Sequence, residues 1–297
     1  MEWKDDKKNA PRRGGKGNIW YLAGPILIKW AIAAGVSTIG MFVFYLLYVS
    51  EHYEEAASYM MDVQKMNLFA SGLLKEFVKY TTLLEGIAAL ITIPIMLLFM
   101  RQDRWREQEQ GIRRTGKGSG GVCCLGVLMA LAASIALNGL ILVGNLSQYS
   151  ESYKTTMEAM YASPFVIQIL SLGILIPICE ELVFRGLLYK RLRGQYGFLY
   201  AAGLSAAVFG VMHINLVQML YGFCLGGLLA YLYEKQGSVL APVLAHSAMN
   251  LFSVVGTRYN WFEFLLRDYR YIGGVTVGCA AVAATLFVLL QRVENDG

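Results

Sequence analysis

An all-α, polytopic membrane protein of about eight transmembrane helices is the fold this sequence predicts. Three observations predict it. Of 297 residues, 56% are hydrophobic and 16% charged, with a mean hydropathy of +0.46, more apolar surface than one soluble core of this length can hide. Apolar stretches of about 18 residues or more recur along the chain, each able to cross a hydrocarbon layer roughly 30 Å thick at 1.5 Å per helical residue. The charged residues collect between those stretches and leave no length for a large soluble domain.

In chain order the spans fall near 24–49, 80–100, 121–146, 164–189, 198–213, 216–233, 239–256 and 272–290. Their length argues for helices, because barrel strands need only about ten alternating residues. The first span follows a basic tail (Lys4, Lys7, Lys8, Arg12, Arg13, Lys16) and runs far past the core of a signal peptide, so it is expected to be an uncleaved anchor. Between the first two spans, residues 50–79 carry Glu51, Glu54, Glu55, Asp62 and Glu76 and read as a solvated outer connection. After the second span comes the linker Gly116, Lys117, Gly118, Ser119, Gly120, Gly121. It lacks the Gly-Lys-Ser/Thr ending of a phosphate loop, so nucleotide binding is rejected. The linker divides residues 1–120 (tail and two spans) from a six-helix core at 121–297. The fifth span, about 16 residues, is expected to turn at Ile214 and Asn215 before reaching the far surface.

The net charge of +5 does not mark a nucleic-acid partner, because Lys and Arg sit at span ends without interleaved aromatics. They serve orientation instead. With the N-terminus inside, 17 of the 26 Lys and Arg residues fall on the cytoplasmic side and 7 outside, and an even span count places both termini in the cytoplasm. The expected location is the bacterial plasma membrane. Cys123, Cys124, Cys179, Cys224 and Cys279 lie in or beside apolar segments, so neither disulfides nor a Cys-ligated metal is expected.

The fourth span places Glu180, Glu181 and Arg185 in an otherwise apolar helix. Each such group costs several kcal/mol in lipid unless it finds a partner in the protein interior. Glu181 and Arg185, four residues apart, can pair on one helix face and satisfy each other. Glu180 is rotated by roughly 100° from Glu181 and needs a partner on another helix. Pro177, three residues earlier, can kink the helix or free a carbonyl. Two of the three histidines lie at membrane depth: His213, four residues after Phe209, and His246, four residues before Asn250. Counted from the cytoplasmic ends, Glu180, His213 and His246 lie about 18, 22 and 12 Å deep, depths compatible with one cluster.

A carboxylate beside a neutral imidazole is a water-activating unit. An imidazole and a carboxamide one turn apart offer N–H donors to a developing oxyanion. Together they describe amide hydrolysis.

The set Glu-Glu-x-x-x-Arg (Glu180, Glu181, Arg185), Phe-x-x-x-His (Phe209, His213) and His-x-x-x-Asn (His246, Asn250), in that order on successive spans, resembles the CAAX-processing and bacteriocin-processing (CPBP, or Abi) intramembrane proteases, which include the type II CAAX prenyl endopeptidases. The resemblance covers roughly 164–256, and all three motifs are complete. It implies that Glu180 with His213 activates water, that His246 and Asn250 stabilise the oxyanion, and that Glu181, Arg185 and Phe209 organise the site. It also implies a glutamate-type mechanism without an obligatory metal or other cofactor, acting on a membrane-associated or lipidated peptide or protein.

Three readings compete. Glu180, His213 and His246 could ligate a catalytic zinc, although the chain has no His-Glu-x-x-His and Asn250 would be left idle. The buried charges could be the proton relay of a transporter, although no inverted repeat is visible. A non-catalytic scaffold or immunity protein could keep the cluster for structure. Serine and aspartyl chemistry lack their motifs, Gly-x-Ser-x-Gly and Gly-x-Gly-Asp.

Overall fold

A computed structural model describes residues 19–111, 119–146, 150–213 and 215–293. The basic tail, most of the Gly-rich linker, and Ile214 lie outside the described residues.

The described chain is helical throughout, without strands. Its elements are α1 (Ile19–Glu51), α2 (Tyr53–Tyr59), α3 (Val63–Glu109), α4 (Gly120–Val143), α5 (Glu151–Tyr161), α6 (Phe165–Arg193), α7 (Phe198–Val211), α8 (Leu216–Gln236), α9 (Leu240–Arg258), α10 (Trp261–Leu266) and α11 (Tyr269–Arg292). Seven of them (α1, α3, α4, α6, α8, α9, α11) are long and apolar enough to cross a membrane, and α7 is a shorter apolar helix. With α7 counted, these are the eight spans of the sequence, and the chain is an integral membrane protein.

The outer connection read at 50–79 is corrected. It forms α2 and the first turns of α3, a single helix of 47 residues. Asp62 starts that helix by accepting from the N–H of Gln64 (3.0 Å) and Lys65 (3.1 Å), and no proline interrupts it before Pro94. The polar residues do not end the helix, which runs on to Glu109.

α7 has 14 residues, about 21 Å of rise and too short for a hydrocarbon layer of roughly 30 Å. α7 ends at Val211 and α8 begins at Leu216, on either side of the expected turn, whose Ile214 lies outside the described residues. Where water cannot reach, the first N–H groups of the next helix need a protein acceptor. Buried Asn215 supplies it, accepting from the Gln218 N–H at 2.8 Å.

α6 is the central helix. One apolar cluster joins it to α1 through Ile26, to α3 through Met96 and Met100, and to α7 and α8 through Phe209 and Tyr233. A second cluster joins α4, α8, α9 and α11 around Met129, Leu229, Met249 and Leu290. At the α6 terminus, ion pairs fasten the packing: Arg191 to Asp103 of α3 (2.8 Å), and Arg193 to Glu234 of α8 (2.9 Å). Pro25 in α1 has no N–H for the carbonyl of Tyr21 one turn earlier, and Arg191 Nη1 donates to that carbonyl instead.

In lipid, helices associate through close packing, and small residues let backbones approach. α7 and α8 use Gly210 and Gly226 in this way. A Cβ on Gly210 would meet the Met219 carbonyl oxygen at 2.6 Å and the Phe223 nitrogen at 3.2 Å, whereas one on Gly203 meets nothing within 4 Å. The helix propensity gained in a Gly→Ala change, about 1 kcal/mol, is outweighed at position 210 by backbone overlap costing about 1–3 kcal/mol. Gly210→Ala is therefore expected to lower the melting temperature in detergent, and Gly203→Ala to leave it level or raise it. Equal behaviour of the two variants in a thermal scan would contradict this packing.

Candidate active site

The cluster is built outward from α6, whose backbone is irregular on both sides of the motif. Two π-helical stretches, Ile169–Leu175 and Leu182–Tyr189, flank the α-helical turn Ile176–Glu181. In the first stretch the Ile176 N–H bonds to the Ser171 carbonyl, five residues back. By the same register the Leu172 carbonyl would accept from residue 177, which is a proline and has no N–H. That carbonyl is left for another helix, and Asn250 Nδ2 of α9 donates to it at 2.8 Å. Pro177 thus fixes where α9 docks.

The second stretch holds Arg185, fully buried like Glu181. Arg185 Nη1 donates to Glu181 Oε1 at 2.8 Å, and Nη2 donates to the Gly226 carbonyl of α8 at 3.1 Å. The guanidinium lies 4.6 Å from the Phe209 ring centroid. The sequence reading treated Glu181 and Arg185 as a pair that satisfies itself, and this is corrected. Glu181 Oε1 also faces His246 Nδ1 at 2.8 Å, while Glu181 Oε2 and Arg185 Nε have no hydrogen-bond partner among the described residues. A carboxylate and an imidazole from separate helices are thereby tied into one network, because a single guanidinium fork cannot saturate a carboxylate with four lone-pair sites.

Phe209 packs edge-on against both histidines, its ring centroid 5.2 Å from that of His213 and 5.9 Å from that of His246. His213 Nδ1 lies 3.0 Å from the Phe209 carbonyl. Carbonyl and carboxylate oxygens only accept, so both histidines carry their proton on Nδ1, and in the neutral ring Nε2 is an acceptor.

Glu180, Phe209, His213, His246 and Asn250 all line one cavity of about 510 Å³. α5 adds Tyr153, Met157 and Met160 to its wall, and α8 adds Tyr221. Four of the residues singled out from sequence as catalytic, on α6, α9 and the turn after α7, are therefore brought to one space. Glu181 and Arg185 lie behind it. Among the described residues, no three His, Cys, Asp or Glu side chains are placed to hold a metal ion.

The partner that Glu180 requires is Lys29 of α1, whose Nζ donates to Oε1 at 3.1 Å. Lys29 lies within the first span, 24–49, with no partner near it in sequence. The signal was present, since a lysine amid apolar residues needs a partner for the same reason that Glu180 does.

Residues 162–252 match the family described as Type II CAAX prenyl endopeptidase Rce1-like. The chain is 30% identical over 139 residues to "Putative membrane peptidase YdiL" of Bacillus subtilis, an overlap covering 44% of this chain and 56% of that relative. It is 24% identical over 128 residues to "UPF0177 protein YxdF" of Lactococcus lactis, covering 42% of this chain and 70% of the relative. The chain thus spans little more than half the length of the first of these relatives. No solved structure matches it. The segment 162–252, through which the chain is similar to that family, holds the three motifs and the residues converging on the cavity.

Proposed function

We propose that the protein is an intramembrane endopeptidase that hydrolyses a peptide bond in a membrane-associated or lipidated substrate. One observation carries this reading: a carboxylate, two imidazoles and a carboxamide from separate parts of the chain line a single cavity at membrane depth. Glu180 and His213 take the proton of the attacking water. His213 suits this task because its Nδ1–H is committed to the Phe209 carbonyl, which leaves Nε2 to accept. Asn250 keeps one amide N–H beyond the one spent on Leu172, and that donor serves the oxyanion. His246, oriented by the Glu181 carboxylate against Nδ1, stands beside it. Glu181, Arg185 and Phe209 fix the two rings. The residues act without a metal or other cofactor. The cavity wall is mainly apolar, with Tyr and Met side chains, and suits a hydrophobic segment delivered from the bilayer. By the distribution of Lys and Arg, both termini face the cytoplasm, and the bacterial relatives support a bacterial plasma membrane.

The test is cleavage of a hydrophobic or lipid-attached peptide by the purified protein in detergent. Cleavage is expected to persist in a strong chelator. It is expected to fall by roughly 10²–10⁴-fold in His213→Ala, with the melting temperature little changed. Wild-type cleavage by His213→Ala would defeat the assignment, and complete inhibition by the chelator would turn it towards a metalloenzyme.

A further inference from the structure

Lys29 is the one cation in α1 and lies outside the segment that matches the family. A lysine in an apolar span costs several kcal/mol unless it is paired. If α1 needed only to be fastened to α6, its apolar residues would suffice, since Leu22 and Ile26 already pack into the cluster around α6.

Its surroundings point to another purpose. Lys29 and Glu180 are largely buried, with side chains 20% and 15% exposed. Between α1, α3 and α6 lies a second cavity of about 40 Å³, lined by Lys29, Glu85, Thr92, Cys179 and Glu180 among others. A pocket of that size, with charged side chains in part of its wall, has room for at least one water molecule. Glu180 and Glu85 border both this cavity and the larger one. The Glu180 carboxylate therefore forms part of the partition between two spaces, held by an ammonium on the α1 side and open to the histidines on the other.

We infer that Lys29 is a positioning residue for Glu180, so that α1 supports an active site whose proposed catalytic side chains all come from residues 162–252. The inference rests on the reading of Glu180 as the base. The Lys29 ammonium holds Oε1 by a charge-assisted hydrogen bond and fixes the carboxylate's direction. It also supplies a counter-charge where no lipid can. Glu85 lines the same pocket from α3. Lys29 touches neither the peptide nor the water, and its effect passes entirely through Glu180.

The test compares the full chain with Lys29→Met, Lys29→Arg and Glu180→Gln in detergent, measuring kcat and KM for one hydrophobic peptide reporter beside melting temperature. Lys29→Met is expected to lower kcat by about tenfold or more, as expected when a catalytic group loses its positioning, and to leave KM within about twofold. Lys29→Arg is expected to recover most of the rate, because a guanidinium also donates with charge. A Lys29→Met protein with wild-type kcat, or a Lys29→Arg protein as slow as Lys29→Met, overturns the inference. If Lys29→Met does not fold, Lys29→Gln takes its place, and a folded Gln variant at wild-type rate overturns it equally. Should the wild type fail to cleave, or Glu180→Gln cleave normally, the reading of Glu180 itself falls. Wild-type cleavage with a silent Glu180→Gln and an unaffected Lys29→Met removes only the role of Lys29.

Discussion

Glu180→Gln is expected to lose peptide cleavage by roughly 10²–10⁴-fold, the range associated with removal of a general base, while folding as the wild type does. The substitution keeps the side chain's shape and an oxygen that can still accept from Lys29 Nζ, now 3.1 Å from the carboxylate. What it removes is the capacity to take a proton. Lys29 does not lose every counter-charge, because Glu85 borders the same small cavity. The fold should therefore survive, and this separates the prediction from a structural one. Kinetics in detergent, run beside size-exclusion chromatography and a thermal scan, check both halves. A well-folded Glu180→Gln protein cleaving at the wild-type rate would end the endopeptidase reading built on this residue. Mass spectrometry of membrane peptides accumulating in cells carrying the variant would then name the substrate.

The largest loss of stability is expected from Arg185→Leu. Arg185 and Glu181 are completely buried, and the guanidinium serves Glu181, the Gly226 carbonyl and the Phe209 ring together. Leucine fills much of the volume but leaves a buried carboxylate facing only His246. Breaking a buried pair from one side costs about 3–5 kcal/mol, because an uncompensated charge remains. Arg185→Lys should rescue poorly, since an ammonium cannot span Glu181 and Gly226 with the geometry of a planar fork. Removing both partners in Glu181→Leu/Arg185→Leu should regain much of the stability, and the coupling should appear in a double-mutant cycle. Activity should not return in the double variant, because His246 Nδ1 has lost the oxygen that orients it. A melting temperature for Arg185→Leu equal to that of the wild type would show that the network carries no such load.

The site was legible in the sequence to the extent that lipid punishes unpaired polarity. Glu180, His213 and His246 stood out because nothing apolar explains them at that depth, and their motif spacing predicted shared helix faces. Lys29 obeyed the same rule but was overlooked, because no residue near it in sequence announced a partner. Its partner is 151 positions away. The helical character of residues 63–79 was hidden for the opposite reason. Their polarity resembles that of a loop, whereas Phe69 and Phe77 form an apolar stripe packed on Tyr48 and Phe44 of α1, ring centroids 5.3 and 5.5 Å apart, and that packing keeps the segment helical.

By itself, then, the sequence determined that the chain is helical and roughly how many of its helices are long and apolar enough to cross a membrane. These follow from local properties: hydropathy, rise per residue, and the need of every buried backbone group for a partner. Only the tertiary structure decided who pairs with whom. It joined Glu181 to His246 as well as Arg185, spent an Asn250 donor on the carbonyl beside Pro177, and set Lys29 against Glu180. Those choices depend on the rotation of each helix about its axis and on where α6 widens its turn. Both are fixed by packing among helices distant in sequence, and no local pattern of residues records that packing.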